Sequence, residues 1–198
     1  PLFWSYSTDG INPYNYDPEQ AKKLLDEAGW VEGSDGIREK NGQKLTIHLL
    51  TSKRPETDTF IALAAENYKA IGVDLQPEIF ADFNAMVAKV EGKDYDLAAF
   101  STGMLTDPSD GIEQFVNGEV KGYNNPKVKE LYEKGLSTTN MEERKKIYQE
   151  LYVLLNDELP VIFTNYKKTV YAYNGRMEHV KVSPFIGLSG NLFEWSLK

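Results

Sequence analysis

The chain has 198 residues with 22 basic and 30 acidic side chains, and the resulting formal charge of −8 argues against nucleic acid as a partner. It contains no cysteine, which excludes disulfides and thiolate chemistry, and its 41% hydrophobic and 26% charged residues are ordinary for a globular fold. No apolar run approaches the ~20 residues that a membrane helix needs, and this length suits one domain able to bury roughly 70% of the unfolded chain's surface.

Residues 1–13 are aromatic and turn-rich and read as a lead-in. Asp17, Pro18 and Gln20 form a capped helix start, because the Asp17 carboxylate can take an orphan amide and Pro18 loses nothing at the first helical position. The spacing predicts a helix over 18–28 with Ala21, Leu24, Leu25 and Ala28 on one stripe and Gly29 as its stop. A loop with turn signals at 34–36 and 41–43 follows. Residues 45–51 alternate as a strand with Leu45, Ile47 and Leu49 on one face.

A helix is predicted over 56–71, turning Ile61, Ala64, Ala65, Tyr68 and Ile71 to the core, with Gly72 as its stop. Residues 73–80 read as a strand that Pro77 places at an edge or a bulge. Asp82 caps a helix to about residue 90 with Met86 and Val87 inward, and 95–100 is a third, short strand. Residues 101–111 carry loop chemistry. Asn125-Pro126 opens another helix, and Asn140 with Glu143 caps the longest, predicted to end near 158 and to bury Ile147, Leu151, Leu154 and Leu155. Strands are expected at 160–165 and 169–173, then a turn at Asn174-Gly175. The alternation of strand-like and helix-like segments gives an α/β fold class.

Little in this pattern performs chemistry. The two histidines, His48 and His179, have no second ligand at metal spacing and read as structural or surface residues, so no metal site and no cofactor are expected. Neither a phosphate-binding glycine loop nor a Gly-x-Ser-x-Gly elbow occurs. The acid pairs Asp94/Asp96 and Asp107/Asp110 are common loop chemistry, and a hydrolase built on 107–110 is the weaker alternative to a binding protein. The aromatic load of 12 Tyr, 9 Phe and 3 Trp is mostly core material. Phe3, Trp4, Tyr6, Phe193 and Trp195, near the two ends, read as residues that pack on something further.

The order of these segments resembles a known family. "YDPEQAKKLLDEAGW", "DGIREKNGQKLTIHLLT", "LAAENYKAIGVDLQPEIFADFNAM", "GKDYDLAAFS", "GYNNPKVKELYEKGLSTTNMEERKKIYQELYVLLNDELPVIFT" and "NLFEWSLK" follow one another as they do in the C-terminal lobe of the bacterial extracellular solute-binding proteins, family 5. The resemblance implies a type II clamshell receptor of an ABC importer, not an enzyme, whose two α/β lobes close over a ligand. Residues 1–185 would be the mixed-sheet, C-terminal ligand-binding lobe. Residues 186–198 would be a return segment that packs on an N-terminal lobe outside this chain.

The implied partners are a peptide or another small solute, the permease subunits in the membrane, and that N-terminal lobe, with an extracellular or periplasmic location and a tether to the outer face of the membrane. Peptide receptors of this family carry a Trp, an Asp that pairs with the ligand's α-ammonium and a Pro after the strand that corresponds to 95–100. The segment "FSTGMLTDPSD" puts Met104 or Leu105 at the Asp position and Ser101 or Thr102 at the Trp position. Neither Met nor Leu offers the charge that a buried ammonium needs. Asp107 could substitute from three residues away, although its place before Pro108 also fits a turn cap. That departure leaves nickel complexes, sugars and opines open beside oligopeptides and dipeptides. The expected cleft residues are Phe100, Ser101, Thr102, Gly103, Met104, Thr106, Asp107 and Thr164.

Overall fold

A computed structural model describes residues 4–99, 101, 107–165, 168–183 and 186–198. The chain divides into two units, Pro1–Val161 and Ile162–Lys198.

The first unit opens with an irregular segment to residue 17 and then helix α1 (Pro18–Glu27), whose Asp17 carboxylate accepts the Gln20 amide. The α1 stripe is correctly phased, yet the helix buries no residue and Leu24 remains exposed. Residues 31–44, expected as a loop, instead form a small antiparallel sheet of β1 (Val31–Glu32), β2 (Arg38–Lys40) and β3 (Gln43–Lys44). Asn41 and Gly42 both have positive φ (53° and 75°), the two-residue turn whose twist suits a hairpin. Arg38 is buried and donates to Asp26, to the carbonyl of Trp30 and to the carbonyl of Ile71, fastening the hairpin to α1 and to the end of the next helix.

A parallel sheet follows, in the order β5–β4–β6, from β4 (Thr46–Ser52), β5 (Asp74–Phe80) and β6 (Leu97–Ala99). β4 is central, and it buries Leu49, Leu50, Thr51 and Ser52 in succession. The single apolar face expected for 45–51 is therefore replaced, in its second half, by the continuous burial of an inner parallel strand. Pro77 lies on β5 at the sheet edge, where its missing N–H costs no ladder bond. Helix α2 (Thr57–Ala70) packs against β5, and α3 (Phe83–Glu91), capped by Asp82, packs against β4 and β5 through the fully buried Met86. Gly72 ends the α2 turn at φ +81°, and a Cβ there would meet Arg38 Cγ at 2.8 Å.

Residues 109–115, assigned from sequence partly to loop, form a helical turn α4 (Ser109–Ile112) and a 3-10 turn (Glu113–Phe115) that bury Ile112 and Phe115. These pack with α5 (Pro126–Ser137) and α6 (Met141–Glu158) in a second core of Val128, Leu131, Ile147, Tyr148 and Leu151. Asn125 and Asn140 cap the two helices as expected, Asn140 accepting from the amides of both Glu142 and Glu143.

The second unit departs most from expectation. No strand forms in the described residues of 160–165 and 169–173, where Ile162, Phe163 and Val170 lie exposed. A strand exists only when a neighbour takes its backbone groups, and here no described strand does so. The turn at Asn174-Gly175 is present, with Asn174 Oδ1 accepting the Arg176 amide. It leads into β7 (Met177–Glu178), which pairs antiparallel with β8 (Ser196–Leu197), and a 3-10 segment (Leu188–Glu194) lies between them. Buried Asn191 braces this unit. Its amide group donates to the carbonyl of His179, and its Oδ1 accepts from the Trp195 indole and the Lys181 amide.

Candidate functional site

In open parallel sheets, ligands collect beyond the carboxyl ends of the strands, where the loops converge and backbone groups are left over. Here those ends are Ser52, Phe80 and Ala99. The loop after β4 is held rigidly. Thr57 Oγ1 donates to the Ser52 carbonyl and accepts the Arg54 amide, both at 2.9 Å, and the Lys53 amide donates to the Phe80 carbonyl at 2.8 Å. Thr51 Oγ1 donates to the carbonyl of Ala99 at 3.3 Å, which ties the central strand to β6.

Two basic residues stand on this loop, and they differ in partnering. Lys53 Nζ is engaged by Asp58 at 2.5 Å. The guanidinium of half-buried Arg54 donates to Ser101 Oγ at 2.8 Å, and among the described residues it meets no carboxylate. Arg54 is the functional candidate that the sequence reading missed. Its local signal was weak: a basic residue beside Lys53 in the turn directly after the strand expected over 45–51.

Asp107 is placed very differently. Arg144 grips it in a bidentate pair, Nη1 to Oδ2 at 2.8 Å and Nη2 to Oδ1 at 2.9 Å, and Oδ1 also accepts from the Ser109 amide and hydroxyl. The Arg144 hydrogen bonds hold the carboxyl well below the usual carboxylate range, at about 2, against a desolvation that pushes the other way. A carboxylate so committed is a poor general base and has few acceptor sites left for an incoming ammonium.

Of the other expected cleft residues, Ser101 lies at the carboxyl end of the sheet, held by Arg54. Phe100, Thr102, Gly103, Met104 and Thr106 lie outside the described residues. Thr164 is exposed in the second unit.

A polar cleft of about 230 Å³ lies elsewhere on the sheet, lined by His48, Gln76, Glu78, Lys89, Asp94 and Asp96 among others. Several of its polar groups already serve one another. Lys89 pairs with Asp94 at 3.1 Å and holds that carboxyl below its usual range, while Asp96 Oδ2 accepts the His48 amide at 2.8 Å. No group of three or more His, Asp or Glu that could hold a metal occurs among the described residues. No described helix is long and apolar enough to cross a membrane.

The family model for bacterial extracellular solute-binding proteins, family 5 Middle, matches residues 1–126. The oligopeptide-binding protein AppA of Bacillus subtilis is 27% identical over the whole chain, which spans 38% of AppA's length. Heme-binding protein A of Haemophilus influenzae is 27% identical over 93% of the chain, matching 34% of that protein. The nickel-binding periplasmic protein of Escherichia coli is 26% identical over 90% of the chain, matching 36% of that protein. The structure of B. subtilis AppA in complex with a nonapeptide superposes on the entire chain with a TM-score of 0.83 at 26% identity, covering 41% of the AppA chain. The chain thus spans little more than a third of the length of these relatives and carries the α/β fold of a periplasmic binding protein. On the extent of the family match and this superposition, it belongs to the bacterial extracellular solute-binding proteins, family 5.

Proposed function

We propose that this chain is the C-terminal ligand-binding lobe of a longer receptor that captures oligopeptides or dipeptides between two lobes and delivers them to the permease of an ABC importer. In this reading residues 1–185 form the lobe and 186–198 return to pack on the N-terminal lobe. The receptor works outside the cytoplasmic membrane, tethered to its outer face, and performs no covalent chemistry. Within the unit of residues 1–161, Ser101 faces the ligand. Asp107 borders the site.

One observation carries the ligand class. Beyond the carboxyl ends of the parallel strands stands Arg54, a half-buried guanidinium with no carboxylate partner among the described residues. A planar, permanently charged donor of this kind suits a carboxylate, and every unmodified peptide ends in one. The backbone of a peptide would supply the remaining hydrogen bonds, with side chains held in wet, tolerant pockets.

A second reading within the same receptor class takes a non-peptide solute that carries a carboxylate. It is favoured by the engagement of Asp107 with Arg144, which leaves that acid unsuited to an α-ammonium. Native mass spectrometry of the full-length protein, purified from cells grown in rich medium, distinguishes the two. A ladder of co-purified peptides is the expected result, and a single small solute in place of the ladder overturns the peptide reading.

A further inference from the structure

Helix α6 carries a stripe at four-residue steps, Arg144, Tyr148, Tyr152 and Asn156, on one face of the helix. The segment before α1, which has no regular structure of its own, is fastened along that stripe. Trp4 meets Tyr148 edge-on at 5.9 Å, and the fully buried Ser5 shares a hydrogen bond with the Tyr152 hydroxyl at 3.0 Å. The Asn12 amide donates to Asn156 Oδ1 at 2.7 Å, Asn156 Nδ2 returns a bond to the Asn12 carbonyl, and the Tyr14 hydroxyl donates to the Asn156 carbonyl.

The first residue of the stripe holds a second passenger. The Arg144 guanidinium lies 5.1 Å from the Trp4 ring and 5.3 Å from the Tyr148 ring while both its terminal nitrogens grip Asp107. Its Nε donates to the Gly135 carbonyl at 2.8 Å, which fixes the plane of the fork. A guanidinium within cation–π reach of two rings and bidentate to a carboxylate is held from both sides, so displacing either partner misaligns the other.

We infer that Arg144 is a positioning residue that couples the turn at Asp107–Ser109 to the N-terminal segment at Trp4, so that the two are held or loosened together. The consequence for ligand capture rests on the proposed function, in which Asp107 borders the site. The coupling itself does not, since it links two parts of one structure.

The test is hydrogen exchange followed by mass spectrometry on the full-length protein carrying Asp107→Asn, Trp4→Leu, both together, Arg144→Lys or Arg144→Gln. Asp107→Asn is expected to speed exchange in the peptide covering 4–14 roughly five- to tenfold, the size of effect that neighbours in one network exert on each other. The double variant should loosen 4–14 no further than the stronger single variant. Arg144→Lys, which keeps the charge but not the fork, should fall between wild type and Arg144→Gln in the peptides covering 4–14 and 107–115.

Peptides from β4 and β5 serve as the control for global unfolding and should exchange as in the wild type. Exchange in 4–14 unchanged by Asp107→Asn, or strictly additive effects in the double variant, overturns the coupling. A mixture of synthetic nonapeptides added to the wild type reads the other question separately. Failure to bind it counts against the peptide reading and leaves the exchange result to decide the coupling.

Discussion

Replacing Asp107 by Asn keeps the side chain's shape and removes its charge, so it isolates what the ion pair with Arg144 contributes. The folded carboxyl sits at about 2 against an ordinary 3.8. At 1.36 kcal/mol for each pKa unit, that displacement corresponds to roughly 2.5 kcal/mol. The Asp107 side chain is 39% exposed and that of Arg144 only 15%, so solvent screening lowers the expected contribution to about 1–2 kcal/mol. The folded pKa lies below the unfolded one, so the stabilisation is fully present above about pH 4 and is lost as the pH falls through 2. Urea unfolding of both proteins at pH 7, 4 and 3 measures this. The difference between wild type and variant should be about 1–2 kcal/mol at pH 7, nearly as large at pH 4, and cut to roughly half at pH 3. An equal difference at pH 7 and pH 3 would refute the electrostatic account, because it would assign the loss to packing. A difference below ~0.3 kcal/mol at pH 7 would mean that the pair behaves as an ordinary surface contact.

Gly135→Ala should destabilise, against the ~1 kcal/mol that alanine ordinarily gains over glycine in a helix. Its Cβ would stand 3.1 Å from Cζ of Tyr148, a fully buried ring, and thermal melting should show a net loss of about 1–2 kcal/mol. Leu151→Ala, at a fully buried position of the helical core, should cost about 2–5 kcal/mol by denaturant titration. Arg54→Gln should weaken binding of a synthetic peptide with a free carboxyl end by roughly 10- to 100-fold, the worth of one charge-assisted hydrogen bond or more. The same peptide amidated at its C-terminus should lose little by comparison in a titration calorimeter. Equal losses for both peptides would remove Arg54 from carboxylate recognition.

What was legible in the sequence was local. Asp17, Asp82, Asn125 and Asn140 each cap the helix they precede, because a short polar side chain reaching back to a free amide depends on only three or four neighbouring residues. Pro77 marked an edge for an equally local reason. The burial of β4 was not legible, since alternation records one face and a central parallel strand has two. The hairpin over 38–44 was hidden behind charged residues, with Asn41-Gly42 as its only strong signal. At 160–165 and 169–173 the composition is that of strands, but composition cannot supply a partner, and the apolar side chains of Ile162, Phe163 and Val170 stand in solvent.

The same limit explains why the site was read unevenly. Asp107 drew attention because acids near a cleft are candidate ligands for an ammonium, and nothing in the local sequence shows that a residue 37 positions later closes on both its oxygens. Arg54 drew none because a basic residue in a polar turn is common. Their difference lies wholly in tertiary pairing. Arg144 has a carboxylate, a carbonyl and two rings, and its charge is satisfied within the fold. Arg54 has a neutral hydroxyl. A half-buried guanidinium with only a neutral acceptor among the described residues has lost part of its hydration without gaining a counter-ion there, and on the proposed function a bound carboxylate would supply that charge. On the proposed function the two arginines divide the work, Arg144 holding Asp107 in place and Arg54 offering the charge that a ligand carboxylate would meet.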